Sequence, residues 1–264
     1  MGKIRDAAGD FHRHSGGLVD VAGIPAHAAG IRLLGAVGVR QIMLDLGPKF
    51  AHATGCRLTS TFDSTGLIVR RITGGEAFDM VMINRAGLDS LANSGKVVLG
   101  SKTDIARAVA AAAVRAGAAT PDIATPEAFK HALLAARSIA RPSPAVGGSS
   151  GDHIVKVLAR LGIADEVNAK SLINENPEDM AAAPGHMVAS GRAELALHQL
   201  QELLAVPGIA MLGPFPRELQ GSFMFTAALT TATKQPVAGN KLIEFLRTPD
   251  AMSVIRAKGM EPAA

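Results

Sequence analysis

The sequence predicts an α/β protein whose helices flank a mostly parallel sheet. Three observations carry that expectation. Short apolar runs alternate along the chain with segments of helical period. Ser, Thr, Pro and Gly stand at the junctions where helices should begin and end. The chain has 264 residues, 48% of them hydrophobic, which suffices for one large or two smaller α/β cores.

The elements follow in order. Residues 31–36 read as a buried strand and 35–38 as a turn. A helix follows, with Ile42, Leu44, Leu46 and Phe50 as its core contacts. Residues 57–62 alternate polar and apolar in strand fashion, and Asp63-Ser64-Thr65-Gly66 breaks the pattern. Residues 67–72 start a short helix that Gly74-Gly75 stops. Residues 78–83 are a third strand, and 88–93 a helix closed by Gly95. This β-α-β-α-β rhythm argues for parallel pairing through crossovers.

The second half repeats the style. Thr125-Pro126-Glu127 is a helix start, with a capping hydroxyl, Pro at the first helical position and an acid in the first turn. A short strand at 138–140 leads into the Pro/Gly/Ser loop 143–151. Residues 153–161 are helical and end at Gly162. Asn176-Pro177-Glu178 and Thr248-Pro249-Asp250 open further helices by the same logic, and 193–199 reads as a strand. The Ala-rich run 106–117 is ambiguous, since propensity alone favours helix.

Composition excludes several functions. The chain has no Trp and no Tyr, so sugar or base stacking lacks its platforms. Net charge is only +4, and the tightest basic cluster is Arg70-Arg71, so nucleic acid is not an expected partner. One cysteine, Cys56, forbids an intrachain disulfide and a multi-Cys metal site. No glycine-rich dinucleotide or phosphate loop follows a strand, and no cofactor or metal is expected. No run approaches the ~18 apolar residues of a membrane span. Residues 1–30 lack the apolar stretch of a signal peptide and are read as a disordered arm.

Three loops have the chemistry of a binding site. Ser64 and Thr65 precede a helix, where unpaired N–H groups and the positive dipole end favour an anion; simple capping explains them as well. Gly147-Gly148-Ser149-Ser150-Gly151 allows close backbone approach and places two hydroxyls at a helix start, or is a flexible loop with a Ser cap. It also matches G-x-S-x-G, but Arg141-Pro142-Ser143-Pro144 separates it from the strand that a nucleophile elbow requires. Gln199 stands at a strand end, where open sheets place ligands, and is either an oxyanion donor or a solvated glutamine. Arg70 or Arg71 either faces a carboxylate or lies on a solvated helix face.

A resemblance now enters. The run Phe62-Asp63-Ser64-Thr65-Gly66, then Arg71-Ile72, Gly75-Glu76 and residues 78–83, is similar to the first-lobe signature of the molybdate-binding family of type II periplasmic binding proteins. Asn84-Arg85-Ala86-Gly87, Gly95-Lys96-Val97-Val98 and Leu246-Arg247-Thr248-Pro249-Asp250-Ala251 fit it too. The resemblance implies two α/β lobes, 31–110 plus 223–264 and 111–222, joined by two crossing strands, with 106–115 and 221–229 as those strands. It implies periplasmic location, a monomer, a small anion in the cleft and an ABC permease as partner. Its ligand positions fall near Gly38, Ser64 or Thr65, Ser150 and Gln199, and Asn84 and Ser149 beside them complete the candidate ligand-binding set. Gly38 replaces the family's serine and Gln199 its tyrosine, which suggests a roomier pocket for an organic polycarboxylate. A branch resembling the Gly-Gly-Ser-Ser-Gly loop includes an aconitate isomerase. Its activity would need a base in the cleft, and His198, Asp63 and Glu202 are the nearby candidates.

Overall fold

A computed structural model describes residues 30–146, 148–174 and 183–263. The N-terminal arm up to residue 29, Gly147 and the helix start expected at Asn176-Pro177-Glu178 lie outside the described residues.

The first half alternates as expected: β1 (Gly30–Ala36), α1 (Arg40–Thr54), β2 (Arg57–Asp63), α2 (Thr65–Thr73), β3 (Met80–Asn84) and α3 (Arg85–Asn93). α1 buries Ile42, Met43, Leu46 and Phe50 and ends on Gly55, whose φ of 67° suits the left-handed closing residue of a helix. Leu44 is only half-buried, because at 100° per residue it falls off the stripe that Ile42, Leu46 and Phe50 share.

β4 (Thr103–Arg115) follows, then α4 (Pro126–Ala135), β5 (Ile139–Pro142), α5 (Ser149–Leu161), α6 (Ala164–Asn168) and β6 (Ser171–Asn174). Thr125 caps α4 by accepting from the Ala128 N–H at 3.1 Å. The chain continues through α7 (Ala183–Ala189), β7 (Leu195–Gln199), α8 (Leu200–Leu204), β8 (Ile209–Pro214), β9 (Ser222–Leu229), α9 (Pro236–Leu246), α10 (Pro249–Ala257) and β10 (Glu261–Pro262).

The strands form one ten-stranded sheet in the order β2-β1-β3-β9-β4-β7-β5-β6, with β8 and β10 also paired to β4. Each half has a parallel core, β2-β1-β3 or β7-β5-β6. β9, β4, β8 and β10 pair antiparallel, so the whole sheet is mixed around the parallel core of each half. Helix propensity misleads in the Ala-rich run, which is strand. Ala110, Ala111, Ala112 and Ala113 are at most 1% exposed, and their small side chains let β4 lie between neighbours on both edges.

β4 changes neighbours midway. Residues Thr103 to Val109 pair with β9, while Ala110 to Arg115 pair with β7 and β8. Gln220 bridges the switch. Its Oε1 accepts from the Ala110 N–H at 2.7 Å, and its Nε2 donates to the Ala110 carbonyl at 3.0 Å. The side-chain amide thus pairs the Ala110 N–H, while the Ala110 carbonyl also accepts from the Phe215 N–H at 3.0 Å. Gln220→Ala should lower unfolding free energy by about 1–3 kcal/mol, the cost of leaving that buried N–H unpaired. Urea denaturation checks this, with the midpoint falling and the slope unchanged.

Candidate functional site

A cleft opens where the carboxyl ends of β1, β2 and β7 meet the first turns of α2 and α5. Its walls include Gly38, Ser64, Thr65, Ser149, Ser150 and Gln199. Six of the seven candidate positions therefore converge. Parallel strands place these residues together, because each strand end hands the chain to a helix or turn on the same side of the sheet.

Each donor is set by its local structure. The Ser64 hydroxyl accepts from the Leu67 N–H at 3.3 Å, so it caps α2 and still keeps its own proton for the cleft. Capping and ligand binding are thus compatible roles. α5 differs: Gly148 precedes it, and no side chain caps its first turn. The N–H groups of Ser149 and Ser150 open toward the cleft at the positive end of a 13-residue helix. Residues 144–146 form a short 3-10 turn between β5 and this helix, so the strand–turn–helix of a nucleophile elbow is not formed. His153 bonds through Nε2 to the Leu219 carbonyl at 3.0 Å, which gives it a structural role away from Ser149.

Gln199 is held by a residue that the sequence reading did not single out. Gln201 Nε2 donates to Gln199 Oε1 at 2.7 Å and to the Gly38 carbonyl at 3.0 Å. With its oxygen so engaged, Gln199 turns its own amide N–H groups to the cleft. Gly38 does not enlarge the pocket, contrary to expectation. A Cβ there would lie 2.5 Å from Phe225 Cζ and 3.0 Å from Gln199 Oε1, so those two side chains already fill the space. Only glycine lets the turn after β1 approach Gln199 this closely.

Asn84 departs from the implied set. Its Oδ1 accepts from the Gly87 N–H at 2.8 Å, capping α3, and its side chain lines a separate outer chamber with Arg70 and Lys156.

Among the described residues no Lys or Arg lines the inner cleft, so its donors there are neutral. Its titratable residues are Asp63, His198 and Glu202. Asp63 accepts from the Ser64 N–H at 2.8 Å and lies 3.4 Å from the Arg71 guanidinium, so its charge is compensated. Arg71 also grips Glu76 through two bonds, and that pairing pulls the Glu76 carboxyl below its ordinary range. His198 and Glu202 are 4% and 7% exposed, with Nε2 and Oε2 3.5 Å apart. His198 Nδ1 accepts from the Gln199 N–H at 2.7 Å, which places the ring proton on Nε2, facing the carboxyl. Burial pushes the Glu202 carboxyl well above the carboxylate range, favouring the neutral acid. Among the described residues no cluster of His, Cys, Asp and Glu could hold a metal ion.

A sheet with its ligand-facing loops on one side and two helix starts opposed across a cleft defines an α/β receptor for a small solute. The chain belongs to a known family of that class: the profile of the bacterial extracellular solute-binding proteins matches residues 31–261. It is 31% identical to the aconitate isomerase of a Pseudomonas species over 239 residues, 88% of this chain and 87% of that protein. It is 26% identical to the molybdate-binding protein ModA of Azotobacter vinelandii over 241 residues, 89% and 90% of the two chains. The sulfate-binding protein SubI of Mycobacterium tuberculosis H37Rv shares the fold, with a TM-score of 0.72 over 89% of this chain and 87% of that one, at 16% identity. No helix among the described residues is long and apolar enough to cross a membrane.

The buried acid gives stability a pH dependence of definite sign. The folded-state pKa of Glu202 lies above its unfolded value, so the folded chain binds that proton more tightly. The resulting stability is complete below the unfolded carboxylate pKa and is lost as pH rises through the folded one. Glu202→Gln keeps a neutral group there, and its melting temperature should fall less than that of the unaltered chain as pH rises from mildly acidic to alkaline. Parallel melting curves would show Glu202 to be ionised in the fold.

Proposed function

We propose that this protein captures a small anion between two lobes, residues 31–110 plus 223–264 and residues 111–222, in the periplasm and delivers it to an ABC permease. The observation that carries this reading is the convergence of Ser64 and Thr65 from α2, Ser149 and Ser150 from α5, and Gln199 after β7 on one cleft without cations. Neutral donors suit a receptor that must release its ligand, since they satisfy anionic oxygens without fixing a full countercharge. The crossing of β4 and β9 between the two halves of the sheet supplies a natural hinge, and an anion contacting both walls favours the closed form. The ligand class is a molybdate-type oxyanion or a small polycarboxylate.

A thermal-shift screen with molybdate, tungstate, sulfate, phosphate, citrate and both aconitates tests it. At least one anion should raise the melting temperature in proportion to the logarithm of its concentration. Gln199→Ala should weaken that anion about tenfold, the worth of one hydrogen bond to a charged group. No shift with any of these anions counts against the anion reading.

One observation favours a second reading, isomerisation of an aconitate-type tricarboxylate, the activity named for the Pseudomonas relative. An anion receptor gains nothing from a buried carboxyl on its wall. A proton-transfer enzyme does, because burial makes Glu202 a stronger base once ionised, with His198 Nε2–H to steady its charge. The carboxylate would take a proton from a carbon beside the double bond and return it to the far alkene carbon, shifting the bond without change of composition. Overnight incubation of trans-aconitate in deuterated buffer should then show new alkene signals and deuterium uptake by NMR, both absent with Glu202→Gln. Unchanged spectra with the unaltered chain remove this reading.

A further inference from the structure

The inner cleft is small for a polycarboxylate. Its space for water-sized spheres is about 50 Å³. That exceeds the roughly 10–15 Å³ a single water requires, so the inner cleft admits a compact group such as one carboxylate or one tetrahedral oxyanion. The cleft does not end there. Thr65 and Ser149 also line the outer chamber, so the two spaces share a wall on each side.

Both shared residues begin helices that run along the outer chamber. Lys156 lies two turns beyond Ser149 on the same face of α5, about 10 Å along the axis at 1.5 Å per residue. Arg70 lies one turn beyond Gly66 on α2, about 6 Å along. Both line the outer chamber. Neither forms an ion pair among the described residues, whereas the adjacent Arg71 is tied to Asp63 and Glu76.

Asn84 adds a neutral donor. Because the Gly87 N–H fixes its Oδ1, its Nδ2 hydrogens are left for the chamber. The other titratable residues there are Asp152 and His153. Burial and the charge of Lys156 lower the pKa of His153, so it adds no cation. Two cations therefore oppose one carboxylate, and the chamber is net positive while the inner cleft carries no cation.

We propose that Arg70, Asn84 and Lys156 form a second carboxylate subsite, so that the preferred ligand is a polycarboxylate spanning both chambers rather than a tetrahedral oxyanion. The inference rests on the anion reading of the inner cleft. One carboxylate meets the neutral donors of the inner chamber, and another meets the two cations a few carbon bonds outward.

Isothermal titration of trans-aconitate, tricarballylate, molybdate and sulfate against the full chain, Arg70→Gln, Lys156→Gln and the double variant tests it. Both cations are exposed, so the ligand-free melting temperatures should not move. Each single variant should bind the tricarboxylates about tenfold more weakly, and the double variant weaker still, while inorganic oxyanions change less than twofold. Tricarboxylate affinity unchanged in the double variant overturns the subsite. Equal weakening of tricarboxylate and oxyanion also overturns it, since a diffuse field would then explain the effect. Molybdate bound and tricarboxylates refused by the unaltered chain overturns the subsite alone. Refusal of every anion overturns the inner-cleft reading and this one with it.

Discussion

The molecule depends on how one strand changes neighbours. β4 pairs within both halves of the sheet, and at Ala110 it passes from β9 to β7 and β8. At that switch the Ala110 N–H is taken by the Gln220 side chain, and its carbonyl is shared by Gln220 and the Phe215 N–H. That arrangement lets two parallel cores face one another across a cleft while remaining a single sheet. The cleft's walls then follow, because β1, β2 and β7 deliver Gly38, Ser64 and Gln199 to its edge.

The inner cleft combines two demands that pull apart. Hydroxyls, amide groups and uncapped helical N–H groups all favour negative charge. A buried acid on the same wall tolerates it only while protonated, and its proton is kept by the burial that shapes the site. Gln201 couples the walls, because one amide nitrogen bonds both the Gly38 carbonyl and the Gln199 side chain, which approach from opposite halves of the sheet. Gln201 Oε1 has no partner among the described residues, a cost typical of side chains fixed for a purpose other than stability.

What the sequence made legible was local. Thr125-Pro126 and Thr248-Pro249 announce helix starts because capping needs only neighbouring residues, and both caps form. Ser64 was readable for the same reason, and it caps α2. The Ala-rich strand was legible only through the family resemblance, since its state is decided by neighbours on both edges rather than by propensity. The filling of the space at Gly38 was not legible, because it depends on Phe225 and Gln199 far along the chain. Asn84 was recognised as polar and close to the cleft, but its cap on α3 turns it toward the outer chamber. Gln201 gave no signal, because its importance lies in two partners that only the folded chain brings near.

The strand order also dictates a sequence of events during synthesis. β3 ends at Asn84, yet its sheet neighbour β9 begins at Ser222. The centre of the first half therefore stays open until the last quarter of the polypeptide has emerged. The second half has all its strands once β8 ends at Pro214. The later-encoded half can thus close first, and the earlier-encoded one waits, with the apolar edge of β3 uncovered in the interval. Delay in closing the first half is thus built into the connectivity itself.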